Sequence, residues 1–181
     1  MAGVFWYNKK IEEDSRLKIN VQKELDTYLL TISYIVPAGL AETWNLLATD
    51  SGFVRWFPQL RVEGDKLVFE MEGFCEVMVL LDYRENQKIA YTWDSAIVSF
   101  TLSQLENRTL ISFEERIPED FGNEFANAQK DMTGWLVQNE CIQALLHLED
   151  LPERKNLQEK LTLFLEEQLK RLLIRGEKDD S

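Results

Sequence analysis

The residue in this chain with the clearest chemical potential is a single carboxylate, Glu115. It follows Ile111 and Phe113 at alternate positions, so it faces the same apolar side of a strand as they do if the strand runs that far. A buried carboxylate must be paired or must take up a proton, and either state could hold a ligand hydroxyl or amine. In the alternative interpretation the strand ends at Phe113, and residues 114–116 form a solvated acidic turn.

Two further polar residues are candidates to join Glu115. Tyr91 lies in a segment whose odd positions carry the bulky side chains, and Gln138 falls inside the apolar arc of a predicted helix. Glu115 as acid or base, assisted by Tyr91, would suit general acid–base catalysis. The sequence identifies no second catalytic group for such a reaction, so this hypothesis ranks last and no catalytic residue is assigned.

Histidine and cysteine chemistry has little support. His147 is the only histidine, and it lies on the polar side of its predicted helix, where a surface position is expected. Cys75 and Cys141 have no CxxC spacing and no neighbouring histidine, which predicts two buried thiols in a reducing compartment. We therefore expect no metal site and no Ser–His–Asp or Cys–His constellation. The chain also lacks a glycine-rich phosphate loop, so no cofactor is predicted.

Composition favours a single soluble domain. The chain has 181 residues, and 32 acidic against 20 basic residues give a net charge of −12. This charge would repel nucleic acid and anionic lipid, so neither is an expected partner. No segment approaches the ~20 apolar residues that span a bilayer, and the N-terminal segment lacks the apolar run of a signal peptide. These features predict a cytoplasmic protein.

The elements that would position these residues follow one another in a simple order. A strand over residues 25–36 is followed by two short helices, at about 41–48 and 50–56. Four or five further strands follow, separated by short polar turns, so sequence neighbours are expected to pair antiparallel. A long helix over 127–149 and an amphipathic helix over 152–174 complete the order.

The two long helices have different apolar faces. In the 127–149 helix a broad apolar arc lies opposite Asn139 and Gln143, which are assigned to the polar side. In the last helix the opposite side is strongly charged, so its apolar stripe must be buried. Docking on its own domain is the favoured arrangement, and the alternative is a homodimer through the same helix of a second subunit. The stripe consists of Leu157, Leu161, Phe164, Leu165 and Leu172.

The order of elements and a set of scattered residues together resemble a known family. These residues are Ala38, Trp44, Asp50, Trp56 and Phe57, Gly64, Gly73, Tyr91 to Trp93, Arg108 and Thr109, and Gly134 and Trp135. Over roughly residues 25–151 the pattern resembles the bacterial family similar to the activator of heat-shock protein 90 ATPase, in the START-like, or SRPBCC, superfamily. The resemblance implies an α+β helix-grip fold, in which a curved antiparallel sheet wraps around a long C-terminal helix. In this chain an extra C-terminal amphipathic helix is added to that fold.

A helix-grip fold implies an internal ligand cavity with mostly aromatic walls and a few polar groups. For each aromatic residue taken alone, plain core packing is the competing interpretation. The candidate wall residues are Trp44, Phe53, Trp56, Phe57, Phe69, Met71, Tyr91, Trp93, Phe100, Phe113, Glu115, Met132, Trp135 and Gln138.

Three functions are compatible with the resemblance, because the superfamily hosts lipid carriers, cyclases, hormone receptors and co-chaperone domains on one scaffold. The leading hypothesis is a non-enzymatic module that encloses a small hydrophobic or aromatic molecule. The second is a protein-interaction module resembling the co-chaperone domain, and the third is the cyclase- or hydratase-type enzyme. The predicted divisions are an N-terminal extension (1–24), the START-like domain (25–151), an additional helix (152–175) that could bind a protein partner, and a tail (176–181).

Overall fold

A single antiparallel sheet organises the structure, a computed structural model that describes residues 5–6 and 16–179. Within these residues there are nine strands and four helices. In chain order they are β1 (Phe5–Trp6), β2 (Lys18–Glu24), β3 (Thr27–Val36), α1 (Leu40–Ala48), α2 (Asp50–Trp56), β4 (Leu60–Glu63), β5 (Lys66–Met71), β6 (Phe74–Arg84), β7 (Lys88–Trp93), β8 (Ala96–Leu105), β9 (Arg108–Pro118), α3 (Ala128–Leu146) and α4 (Arg154–Asp179).

The strand order explains how the sheet encloses a helix. The described strands run β1-β2-β3-β9-β8-β7-β6-β5-β4, and neighbouring strands pair antiparallel. Because β3 pairs with β9, the helix that follows β9 begins near the middle of the sheet, and α3 packs against β3 and β9. A register shift between Leu80 and Asp82 adds a local bend to β6. The α+β helix-grip fold expected from the sequence is confirmed.

The sheet contains strands that the sequence pattern does not predict. In and just before β2, Leu17, Ile19 and Val21 alternate with polar residues, and all three are buried. Part of the predicted N-terminal extension, the strand β2, therefore pairs with β3 and extends the sheet. β4 is only four residues long. With β4 included, six strands follow α2 within the described residues, whereas the sequence predicts four or five.

The helix α3 is enclosed on more sides than its sequence indicates. Asn139 and Gln143 are both buried, so their assignment to the polar side is wrong. Asn139 is buried because it faces β3 of the sheet, and α4 packs along α3 as well, so more of α3 is covered than a wheel of the helix alone indicates. Asn139 accepts a hydrogen bond from the Tyr34 hydroxyl at 2.9 Å and donates one to the Trp135 carbonyl at 2.9 Å. These bonds compensate for burying the amide.

The apolar stripe of α4 is covered within the chain. All five of its residues are buried or partly buried, and α4 contacts α3 and β2. A homodimer through this helix stays a prediction, and the stripe that suggested it already docks on its own domain. The helix also runs to Asp179, beyond the expected end at 175. In residues 16–179, none of the helices combines the length and the apolar character needed to cross a membrane.

The convex face of the sheet, which points away from α3, carries exposed apolar side chains. Val77 and Val79 in β6 are each 55% exposed, and Ile97 in β8 is 43% exposed. Cys75 lies on the same side of β6 and is exposed, whereas Cys141 is buried. The prediction of two buried thiols is therefore wrong for Cys75. Cys75 is exposed because side chains alternate between the two faces of a strand, so that only the inward positions of β6 are buried.

The short helices α1 and α2 meet at a glycine. A Cβ atom at Gly52 would lie 2.1 Å from the Asn45 carbonyl oxygen and 2.3 Å from the Leu46 carbonyl oxygen. The buried Trp56 indole N–H donates a hydrogen bond to the same Leu46 carbonyl at 2.8 Å. The close approach of the two helices therefore requires glycine at this position.

Replacing Gly52 by alanine should destabilise the protein by at least roughly 2 kcal/mol, because the backbone of α1 must move to admit the methyl group. The free energy of unfolding in urea measures this effect. Gly176→Ala is the matched control, since a Cβ at that position of α4 meets no atom within 4 Å, and it should be neutral or slightly stabilising. Equal unfolding free energies for the two variants would contradict the close contact.

Candidate functional site

Aromatic rings from several elements converge on Trp135 of α3. Its ring centroid lies 5.2 Å from that of Trp93 in β7 and 5.1 Å from that of Phe113 in β9. Phe57, directly after α2, and Phe100 in β8 lie at 6.0 and 6.3 Å. The rings meet at tilted or edge-to-face angles, which is the favourable geometry for aromatic pairs. They fill the centre of the space between the sheet and α3.

The other predicted wall residues are spread over the core and its edge. Trp44, Phe53, Trp56 and Met132 are buried and belong to the hydrophobic core. Met71 is 42% exposed, because it is the last residue of β5 and lies at the turn to β6. It therefore does not join the rings around Trp135.

A groove opens at the edge of this ring cluster, and it has two adjoining parts. The first part has a volume of about 390 Å³ and lies between β5, β6, the β7–β8 turn and the loop before α3. Its aromatic wall is formed by Phe69, Phe74, Trp93 and Phe125, whose neighbouring ring centroids are 5.0 to 6.0 Å apart. Its polar wall is formed by Glu76, Asp94, Asn123, Glu124 and Asp131.

The second part of the groove, of about 210 Å³, continues along α3. It shares Trp93 and Asp131 with the first part and reaches Gln138 on α3 and Gln158 on α4. Gly134 lies in its wall, and a Cβ atom built there would meet nothing within 4 Å. A glycine inside a helix costs about 1 kcal/mol relative to alanine. Packing does not require this glycine, and its effect is to keep the groove open.

A buried carboxyl pair lies behind the groove wall. The Trp93 indole N–H donates a hydrogen bond to one Asp131 oxygen at 3.1 Å, and Glu115 faces Asp131, to which its carboxyl can donate a hydrogen bond when it is protonated. Glu115 is fully buried, because β9 continues to Pro118 and does not end at Phe113. Burial, then the hydrogen bond to Asp131 and its negative charge, raises the pKa of Glu115 well above its ordinary value. The protonated form of Glu115, which can donate that hydrogen bond, is thereby favoured.

Tyr91 and Gln138, the two polar residues expected beside Glu115, lie in different parts of the structure. Tyr91 and Glu115 both pair with Val98 of β8, so they lie in one row of the sheet, two strands or about 10 Å apart. Tyr91 is fully buried, its hydroxyl has no hydrogen-bond partner among the described residues, and burial raises its pKa. Gln138 lies instead at the boundary of α3 and α4, where its amide oxygen accepts a 3.4 Å hydrogen bond from Arg154. Neither Tyr91 nor Glu115 lines the groove, so neither touches a molecule placed in it.

Sequence reasoning misses several residues of the groove. Asp131 lies four residues before Trp135, and this spacing on a helix is the signal that could place it beside the aromatic cluster. Glu76, Asp94 and Phe125 have no comparable signal. Asp94 lies in the β7–β8 turn and Phe125 in the loop before α3, so their convergence depends on how the sheet curves and where the loop runs.

The remaining chemical candidates lie away from the groove. His147 is half-buried at the C-terminal end of α3, with its Nδ1 atom 2.9 Å from the Gln143 carbonyl oxygen. Over residues 16–179, no group of three or more His, Cys, Asp or Glu side chains is arranged to hold a metal ion.

Comparison with known proteins identifies the fold. No family model and no curated protein sequence matches the chain. Among solved structures, a conserved protein of unknown function from Enterococcus faecalis is similar over 86% of this chain and 92% of its own, with 25% identity and a TM-score of 0.76. CalU16 from Micromonospora echinospora is similar over 84% and 96%, with 13% identity and a TM-score of 0.61. The Aha1 dimer from Colwellia psychrerythraea is similar over 66% and 96%, with 17% identity and a TM-score of 0.53.

Replacing Glu115 by glutamine should stabilise the protein at neutral pH. The native state keeps the proton on Glu115, whereas the unfolded chain releases it as the pH rises through the ordinary value of 4.5. The unaltered protein therefore loses stability from about pH 4.5 upward, until the raised native pKa is reached. Glutamine has no charge to bury, so the variant should lack this loss. Urea denaturation at a series of pH values from about 5 to 8 measures it.

Glu114→Gln is the matched control for this experiment. Glu114 is the neighbouring residue on the opposite face of β9, and its carboxylate forms a half-exposed ion pair with Arg116 at 3.2 Å. Removing such a pair changes stability by less than about 1 kcal/mol. Glu140, whose pKa is raised to about 7 by burial, titrates equally in both variants. A Glu115→Gln variant that is less stable than Glu114→Gln at pH 7 would show that the buried carboxyl is not kept protonated.

Proposed function

We propose that this chain is a binding module of the START-like type, similar to the bacterial family that resembles the activator of heat-shock protein 90 ATPase. In this proposal it holds a small hydrophobic or aromatic molecule in the groove beside α3. Residues 25–151 form the START-like domain, β2 extends its sheet, and the helix added over 152–175 supplies Gln158 to the end of the groove. The observation that carries the proposal is an aromatic wall facing open space beside a helix glycine, Gly134.

The size and lining of the groove suit a small molecule. The 390 Å³ of the first part falls within the roughly 300–1,000 Å³ that is usual for ligand sites. Phe125 is 42% exposed, and Phe69, Phe74 and Trp93 are only partly buried. A ligand that covers about 100 Å² of this apolar surface gains roughly 2.5 kcal/mol.

The proposed site lies at the edge of the ring cluster rather than at its centre. Of the wall residues expected from the sequence, Phe57, Phe69, Trp93, Trp135 and Gln138 line the groove. The buried aromatic residues behind them support these five. The packing of rings around Trp135 thus directs a ligand to the side where α3, the β7–β8 turn and the loop before α3 meet.

Blocking the groove should weaken binding of a neutral aromatic probe. Gly134→Leu places a side chain in the second part of the groove, where it competes with a ligand for the same space. The affinity for N-phenyl-1-naphthylamine, measured by its fluorescence increase in apolar surroundings, should fall by about five-fold or more. Native mass spectrometry of gently purified protein should show a co-purified small molecule on the unaltered chain and less of it on the variant.

Gly176→Leu adds the same side chain at an open position of α4. It should bind the probe as the unaltered protein does. If Gly134→Leu binds the probe as tightly as Gly176→Leu, the groove is not the site. If the unaltered protein neither binds the probe nor carries a co-purified molecule, the proposed function is wrong.

A second candidate, protein interaction in the manner of a co-chaperone, is favoured by the convex face. Val77 and Val79 are adjacent outward positions of β6, and each is 55% exposed. Exposed apolar side chains that form a contiguous patch are typical of protein interfaces. In this candidate the partner is the cell's own heat-shock protein 90 chaperone.

Pull-down of that chaperone tests the second candidate. Val77→Glu combined with Val79→Glu should abolish the interaction, because charges would have to be buried at the interface. Thr101→Glu, on the same face but in β8, is the control and should retain it. No enrichment of the chaperone over an unrelated acidic protein would remove this candidate.

A further inference from the structure

The first part of the groove is negatively charged. Its described lining includes Glu76, Asp94, Glu124 and Asp131, and no lysine or arginine. Within residues 16–179, none of these four carboxylates forms an ion pair with a basic side chain. The chain as a whole carries a net charge of −12, which adds to a local field that attracts cations.

Two of these carboxylates are held close together. Burial, and then the negative charge of Asp94, raises the pKa of Glu76. Asp94 is held by a 3.1 Å hydrogen bond from the Asn123 side chain, and its φ of 53° lies in the left-handed region that non-glycine residues seldom adopt. A cation between Glu76 and Asp94 would remove their repulsion.

Aromatic faces adjoin the carboxylates. Trp93, Phe69, Phe74 and Phe125 lie in the same wall as Glu76. The face of an aromatic ring attracts a cation through its quadrupole, and tryptophan does so most strongly. Several rings combined with carboxylates form the type of site that recognises organic ammonium groups.

A buried acid behind the wall is a separate observation. Glu115 is fully buried, and its carboxyl has no partner among the described residues apart from Asp131. Asp131 extends from this contact to the groove, where it lies in the wall of both parts. Among the described residues no basic side chain forms an ion pair with the Asp131 carboxylate, and the one lysine in the groove lining, Lys130, lies in the second part.

We infer that the molecule held in this groove is an organic cation, with an amine or ammonium group on an aromatic or alkyl body. The inference rests on the proposed function of the groove as a ligand site. The cationic group lies between Glu76, Asp94 and Asp131 and against the ring of Trp93. The apolar body extends past Gly134 along α3. An anion of the same shape is repelled, and a neutral molecule loses the charge contacts.

Three indole compounds of similar size and different charge test this inference. Tryptamine is a cation, tryptophol is neutral and indole-3-propionate is an anion, and their affinities for the full chain are measured by NMR titration at neutral pH and low salt. Tryptamine should bind at least roughly ten-fold more tightly than tryptophol, and indole-3-propionate should bind most weakly. The preference for tryptamine should shrink in high salt, because salt screens the charges.

Variants that each remove one negative charge test which carboxylates contact the bound cation. Glu76→Gln and Asp94→Asn should each weaken tryptamine binding by about three-fold or more and leave tryptophol binding unchanged. Asparagine is used at position 94 because it tolerates left-handed backbone. Glu85→Gln removes the same charge from the exposed turn after β6 and should leave both affinities unchanged.

The outcomes separate this inference from the proposed function. The inferred positive charge of the ligand is wrong if the three indoles bind equally, or if Glu85→Gln weakens tryptamine binding as much as Glu76→Gln does. In either case the groove remains a ligand site. If none of the three binds and the neutral naphthylamine probe also fails, the groove is not a ligand site and both statements are overturned.

Discussion

The structure depends on the packing of one indole, that of Trp135, between the sheet and α3. Rings from β7, β8, β9 and the segment after α2 all lie within 6.5 Å of it, so four separate segments meet on one side chain. Protein interiors are packed closely, so a ring of this size determines how far the helix stands from the sheet. Tilted rings fill the centre of that space and leave its edge uncovered. The groove is a consequence of this packing.

The carboxyl pair behind the groove, Glu115 and Asp131, lowers the stability of the fold. Burying Glu115 costs free energy that an apolar residue of similar volume would not cost, and a contact with a second acid recovers only part of it. Asp131 also accepts the Trp93 indole N–H, so the pair connects β7, β9 and α3. The same contacts hold the Asp131 side chain in one orientation in the groove wall.

Local alternation in the sequence predicts much of this geometry. The inward direction of Glu115 follows from its parity with Phe113, and the order of strands and helices, together with the residues that carry the family resemblance, predicts the helix-grip fold. The polar side assigned to α3 is wrong because a helical wheel describes one helix alone, whereas in the fold Asn139 faces the sheet and accepts a hydrogen bond from Tyr34 of β3. The meeting of Glu76 with Asp94 depends on the curvature of the sheet, which no local pattern encodes.

The connection between β9 and α3 determines the chemistry of the groove more than the sheet does. Asn123 in this loop accepts hydrogen bonds from the backbone N–H groups of Phe125 at 2.8 Å and Ala126 at 2.9 Å, and it donates one to Asp94. The loop is thereby tied to the β7–β8 turn, and Phe125 is held against Phe74 with 5.0 Å between ring centroids. Loops vary among proteins of one fold more than the strands they join, and a shared fold does not imply a shared function. A fold shared at 13% to 25% identity therefore carries over the sheet and its helix, and the side chains of this loop and turn determine the chemistry of the groove in which we propose that a ligand binds.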